Sequence, residues 1–128
     1  MTKEEKQLLL KDLCGRTTYG VKFTLSDNNI YTMKGIDLIV TDEGDWEYAV
    51  AAKGITPIEI KYVKPYLRPM SSMTEKEKGE YFGRNMTIDI VETSQEVIDY
   101  CNAHHLDYRH LIEKGLALEA PEDMYKFE

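Results

Sequence analysis

The chain lacks any long apolar run. The longest unbroken stretch, Tyr48 to Ala52, falls far short of the roughly 20 residues that a bilayer-spanning helix needs, so no membrane contact of that kind is expected. Cysteine is scarce. Cys14 and Cys101 lie far apart, and neither belongs to a C-x-x-C pair, so we expect two free thiols and no disulfide. The sequence also lacks a P-loop, a G-x-G-x-x-G turn, a G-x-S-x-G elbow and an H-E-x-x-H pair, so no motif identifies a reaction, and no cofactor is expected. Basic residues are in deficit, 16 Lys+Arg against 23 Asp+Glu, for a net charge of −7. Residues 1–65 hold 9 basic and 10 acidic side chains, and residues 66–128 hold 7 and 13, so the C-terminal half should repel a polyanionic partner. The opening Met-Thr-Lys-Glu-Glu-Lys leads into only three leucines, Leu8 to Leu10, too few for an export signal, and a cytoplasmic location is the expectation.

What is present describes a folded globule. Of the 128 residues 42% are hydrophobic and 30% charged, enough apolar mass for one core and too much for a disordered chain. Thr2-Lys3-Glu4-Glu5 has the spacing of a capping box, so a helix should begin at Lys3, bury Leu9, Leu10, Leu13 and Cys14, and stop at Gly15. The period then changes to two. Val21, Phe23 and Leu25 alternate with polar residues, Ser26 to Asn29 make a turn, and Ile30 to Val40 should return as a hairpin partner with a bulge at Gly35. Asp42-Glu43-Gly44-Asp45 closes a second hairpin. Trp46, Tyr48 and Val50 follow on one face of a third strand, and Ile58, Ile60 and Tyr62 on a fourth.

Pro65 and Pro69 mark residues 65–73 as an extended linker pressed onto the body. Thr74-Glu75-Lys76-Glu77 caps a second helix that Gly79 and Gly83 weaken and end, and Thr93-Ser94-Gln95-Glu96 caps a third that reaches about His104. Met86, Ile88 and Ile90 alternate as a possible strand near 86–91. Asp107 should cap a last helix from Tyr108 to Lys114, closed by Gly115 and a Leu116–Leu111 contact, and residues 119–128 should fray. These elements predict one α+β domain over residues 1–128. Its centre would be a small antiparallel sheet or partly closed barrel of four to five short strands, with an N-terminal helix and C-terminal helices.

The segment from Asn102-Ala103-His104-His105-Leu106-Asp107-Tyr108-Arg109 through Leu111-Ile112-Glu113-Lys114-Gly115-Leu116-Ala117-Leu118-Glu119-Ala120-Pro121 resembles the C-terminal signature of uncharacterised small bacterial proteins of prophage or mobile-element type. Lys64-Pro65-Tyr66-Leu67-Arg68-Pro69-Met70-Ser71-Ser72-Met73-Thr74 resembles the same group. The family brings no activity with it, so the resemblance implies only an accessory or phage-related role.

Three sets of residues could carry function. Cys101 and His105 stand four apart on one helix face, and with His110 or Asp107 they could bind zinc; Cys101 with His104 or His105 as base could instead act as a nucleophile. The bland reading is a buried thiol, an N-capping aspartate and histidines favoured at a helix C-terminus. Lys22, Lys34, Lys53, Lys61 and Lys64, with Tyr19, Tyr31 or Tyr62 as stacking platforms, could line a single-strand-binding barrel, which the net charge opposes. The acidic turn of Asp42, Glu43 and Asp45 could hold a cation, though solvated turn residues explain it equally. Finally, Trp46, Tyr62, Tyr66, Arg68, Tyr108 and Arg109 are the residue types that anchor protein interfaces, with Arg68 and Arg109 expected to be exposed. The reading favoured is a non-enzymatic module that meets a protein partner or a second copy of itself; a metal-dependent enzyme and a nucleic-acid module are the alternatives.

Overall fold

A computed structural model describes residues 1–84 and 95–125. Helix α1 (Lys3–Arg16) opens on the expected capping box, in which Thr2 Oγ1 accepts from the Glu5 N–H at 3.0 Å and the Glu5 carboxylate accepts from the Thr2 N–H at 2.8 Å. Gly15 does not end it. The helix runs on to Arg16, and a single 3-10 turn, Thr17–Tyr19, leads to Gly20 in the left-handed region, where the chain reverses. Gly15 serves a different purpose: a Cβ there would lie 2.7 Å from Asn102 Nδ2, so the glycine lets the third helix approach.

Strands β1 (Lys22–Thr24), β2 (Ile30–Val40) and β3 (Trp46–Ala52) form the antiparallel meander read from the alternation, with the β2 register shifting between Met33 and Gly35 as the glycine implied. The fourth strand is shorter than expected. Only Ile58–Glu59 (β4) pairs, and Ile60–Tyr62 coil into a 3-10 turn that buries Ile60. The expected linker is also a strand. Val63, Pro65 and Leu67 are buried at alternate positions, and β5 (Lys64–Leu67) pairs antiparallel with β1. Proline is tolerated there because the ladder on the other side of β5 begins only at Tyr66, leaving one side of Pro65 without a strand.

Helix α2 (Glu75–Arg84) starts from Thr74, whose hydroxyl accepts from the Glu77 N–H, and continues past Gly79. Helix α3 (Gln95–Ala103) places Val97, Tyr100 and Cys101 inward. The alternation noted at 86–91 and the third capping residue lie outside the described residues. The last helix does not form. Residues 108–109 and 111–115 are turns broken at His110, which takes a left-handed φ of 60°; the Asp107 carboxylate still accepts from the Leu111 and Ile112 N–H groups, and the Schellman pair Leu116 N–H to Leu111 O and Gly115 N–H to Ile112 O closes the segment.

Nor does the tail fray up to residue 125. Leu118–Glu119 (β6) adds parallel to β5, and Tyr125 accepts from the Lys22 N–H and donates to the Tyr66 carbonyl. The result is α+β, with an open, mixed six-stranded sheet in the order β4-β3-β2-β1-β5-β6. One core unites Leu9 and Leu13 of α1 with Val21, Phe23, Met33, Val50 and Leu67 of the sheet; a second gathers Met73, Val97, Tyr100, Cys101, Leu106 and Tyr108 around α3. Among the described residues no helix is long and apolar enough to cross a membrane.

Candidate interaction surface

The histidine corner comes apart in space. Cys101 packs in the core with Val97, and burial pushes its thiol up to about 11, which leaves it protonated and unreactive at neutral pH. His104 stacks on Tyr100 and places Nδ1 2.7 Å from Glu77 Oε2. His105 is buried in the left-handed region with its ring 3.8 Å from that of Tyr125. Burial first, and then the Arg16 and Arg68 cations, hold it down to about 4, so it is neutral at pH 7. Asp107 spends both carboxylate oxygens on backbone N–H groups, and His110 is exposed beside Glu113. Among the described residues no three His, Cys, Asp or Glu side chains converge in a way that could hold a metal ion.

The two arginines expected to be exposed are only partly so, because each is held by a buried carboxylate. Arg68 makes a two-pronged pair with Glu77, Nη1 to Oε2 at 2.7 Å and Nη2 to Oε1 at 2.6 Å, and its Nη1 also donates to the His104 carbonyl. Arg109 donates to Asp12 Oδ1 at 3.2 Å and to the Tyr108 hydroxyl at 2.9 Å, and the buried Tyr108 ring has the Arg109 guanidinium 4.8 Å and the Arg16 guanidinium 5.5 Å from its centre. The physical reason is shared: each guanidinium fork meets a buried carboxylate that short-range sequence does not bring near it. Asp12 and Arg16, both fully buried and bonded at 2.7 Å, are the residues that sequence reading passed over. Their signal was legible, because an opposite-charge pair at i, i+4 falls in the same stripe as Leu9 and Leu13. Arg16 Nη2 further donates to the Leu106 carbonyl, tying α1 to the chain beyond α3.

With those candidates turned inward, the exposed apolar surface lies on the β2–β3 ribbon. Ile36 pairs with Val50, Leu38 with Tyr48, and Val40 with Trp46, so all six side chains share one face. Val50 is buried in the core and the half-buried Ile36 packs against it. Past them the same face continues outward with no element over it among the described residues: Leu38 is 55% exposed, Val40 53%, Tyr48 54% and Trp46 68%. On the reverse face Ala49 is buried and Glu47 meets Lys6 of α1 at 2.9 Å. Sequence reading named Trp46 of these four. The alternation that puts Leu38, Val40 and Tyr48 beside it is visible in the sequence, but the lack of a cover is not. The four present on the order of 400 Å² of apolar surface, a size at which the largest patch of a monomer is commonly a contact site.

The remaining candidates are dispersed. Tyr62 is exposed on the 3-10 turn with the Lys61 ammonium 5.1 Å from its ring centre, and Tyr66 is half-buried. Lys22 is engaged with Thr32, and Tyr31 stacks on Phe23; Lys34, Lys53 and Lys64 are exposed at separate points of a sheet that does not close, and Tyr19 lies on the turn after α1. The turn residues Asp42, Glu43 and Asp45 are all exposed at the tip of the ribbon, where Gly44 takes a φ of 86°. No family model, no curated protein and no solved structure matches the chain.

Proposed function

We propose that this protein is a non-enzymatic interaction module whose contact surface is the outer half of the β2–β3 ribbon. The observation that carries the reading is the run of Leu38, Val40, Trp46 and Tyr48 beyond the edge of the core, on the face that is buried elsewhere. Apolar side chains on a folded monomer are ordinarily scattered singly; four directly paired ones amount to a core half awaiting its complement. Aromatic anchors at the centre of such a patch carry most of the binding free energy, about 2 kcal/mol or more each.

The test compares the wild-type protein with Leu38→Ser/Tyr48→Ser as immobilised bait in extract of the native host. The variant should keep its circular dichroism spectrum and its stability to within about 1 kcal/mol per substitution, because the side chains it changes are half exposed and lose mainly their cross-strand contact. It should lose the proteins that the wild type retains. Identical retention by both baits, with light scattering giving the same mass for both at every concentration, would end the reading.

A further inference from the structure

The open ribbon constrains its occupant in two more ways. First, its edges are unpaired. β1 contacts β2 only at residues 30–32, with one further bond from the Met33 N–H to the Val21 carbonyl, so among the described residues no strand pairs with 36–40 on the side away from β3. The β3 residues 46–48 are likewise unpaired on the β4 side, where the ladder begins at Ala49. An edge of this kind offers backbone donors and acceptors to an incoming extended chain. Second, the tip is acidic. Asp42, Glu43 and Asp45 are all exposed in a chain whose net charge is −7; Glu43 feels the Lys61 ammonium, but no salt bridge to the three forms among the described residues.

We infer that the ribbon binds an extended, cationic segment of another protein, in which apolar residues alternate with lysine or arginine. The segment adds as a strand beside β2. Its apolar side chains continue the face of Leu38 and Val40, and its cations reach the carboxylates of the tip. This inference rests on the proposed contact role of the ribbon and gives it a partner chemistry. A second copy fits less well, since it carries the same acidic tip and no lysine or arginine alternating with the apolar residues of the patch. A nucleic acid would meet the same repulsion.

Trp46 is the protein's single tryptophan and stands in the patch, so its emission reports occupancy without a label. The probe is a synthetic peptide of about seven residues alternating valine or isoleucine with lysine, long enough to span 36–40. Titrated into the full chain, it should shift Trp46 emission to the blue and saturate. Calorimetry should show affinity falling about tenfold or more in Asp42→Asn/Glu43→Gln/Asp45→Asn and at high salt. A peptide with glutamate in place of lysine should not bind, and N-methylation at alternate amides, which removes edge donors, should abolish binding. Equal binding of the lysine and glutamate peptides would overturn the cationic assignment, and survival of binding after N-methylation would overturn strand addition; either would leave the ribbon a contact surface. A blue shift that grows with protein concentration alone would assign the face to a second copy. If no peptide moves the emission and dilution leaves it unchanged, the cationic partner is refuted, and the bait comparison decides separately whether the ribbon is a contact surface at all.

Discussion

At the scale of single residues, the buried charges govern stability. Asp12 accepts from both Arg16 and Arg109, so truncating it leaves two guanidinium groups in low-dielectric surroundings with their carboxylate gone. Asp12→Ala should cost about 3–5 kcal/mol, read as a fall in the urea midpoint, whereas removing an exposed charge should cost little. His105 gives a pH dependence of known sign. Its folded-state value is depressed from 6.5 to about 4, chiefly by burial, so its contribution is complete above the unfolded value and is lost as pH falls from 6.5 towards 4. Unfolding free energy should therefore drop between pH 7 and about pH 5, by about 2 kcal/mol from this group, while the His105 ring protons show little titration by NMR over that range. Neither effect follows from composition. Histidine and cysteine at helical spacing read equally as ligands or as core, and only burial distinguishes them.

At the scale of elements, local signals survived wherever the backbone set them. The capping boxes at Thr2 and Thr74, the Schellman close at Gly115 and the bulge near Gly35 all form where the residues indicated, because each depends on atoms within a few positions. Elements defined by distant partners did not read correctly. Val63-x-Pro65-x-Leu67 carried a strand period, but proline outweighed it until β1 supplied one paired edge. The last helix was lost to the turn at His110. Helix α2 is fastened by a cluster drawn from three segments: Glu77 lies between Arg68 and His104. Burial raises the Glu77 carboxyl, but Arg68, the Thr74 N–H and His104 outweigh it and bring it from 4.5 to about 2. That stabilisation is full above pH 4.5 and is lost as pH falls towards 2. Glu77→Gln should lower stability by about 2 kcal/mol at pH 7 and flatten the acid limb of the stability profile, measured by denaturant titration at several pH values.

At the scale of the whole molecule, the sheet is longer than the cover that the described residues give it. Trp46 should emit like indole in water in the isolated protein, and its emission maximum should stay nearly constant through urea unfolding even as circular dichroism collapses. A large red shift on unfolding would mean that the ribbon face is buried in solution. The sequence by itself determined the α+β class, the meander, the capping boxes at Thr2 and Thr74 and the inward Leu9 and Leu13 of α1, because periodicity and capping depend on neighbours along the chain. Cys14, expected in that stripe, is exposed, and Asp12 and Arg16 are buried there instead because they pair with each other. Tertiary structure alone decided that Arg68 and Arg109 meet buried carboxylates, that the histidines part, and that no described residue covers Leu38, Val40, Trp46 and Tyr48. Alternation marks which side chains share a face; whether anything lies over that face depends on chain that returns from elsewhere, and no local pattern encodes it.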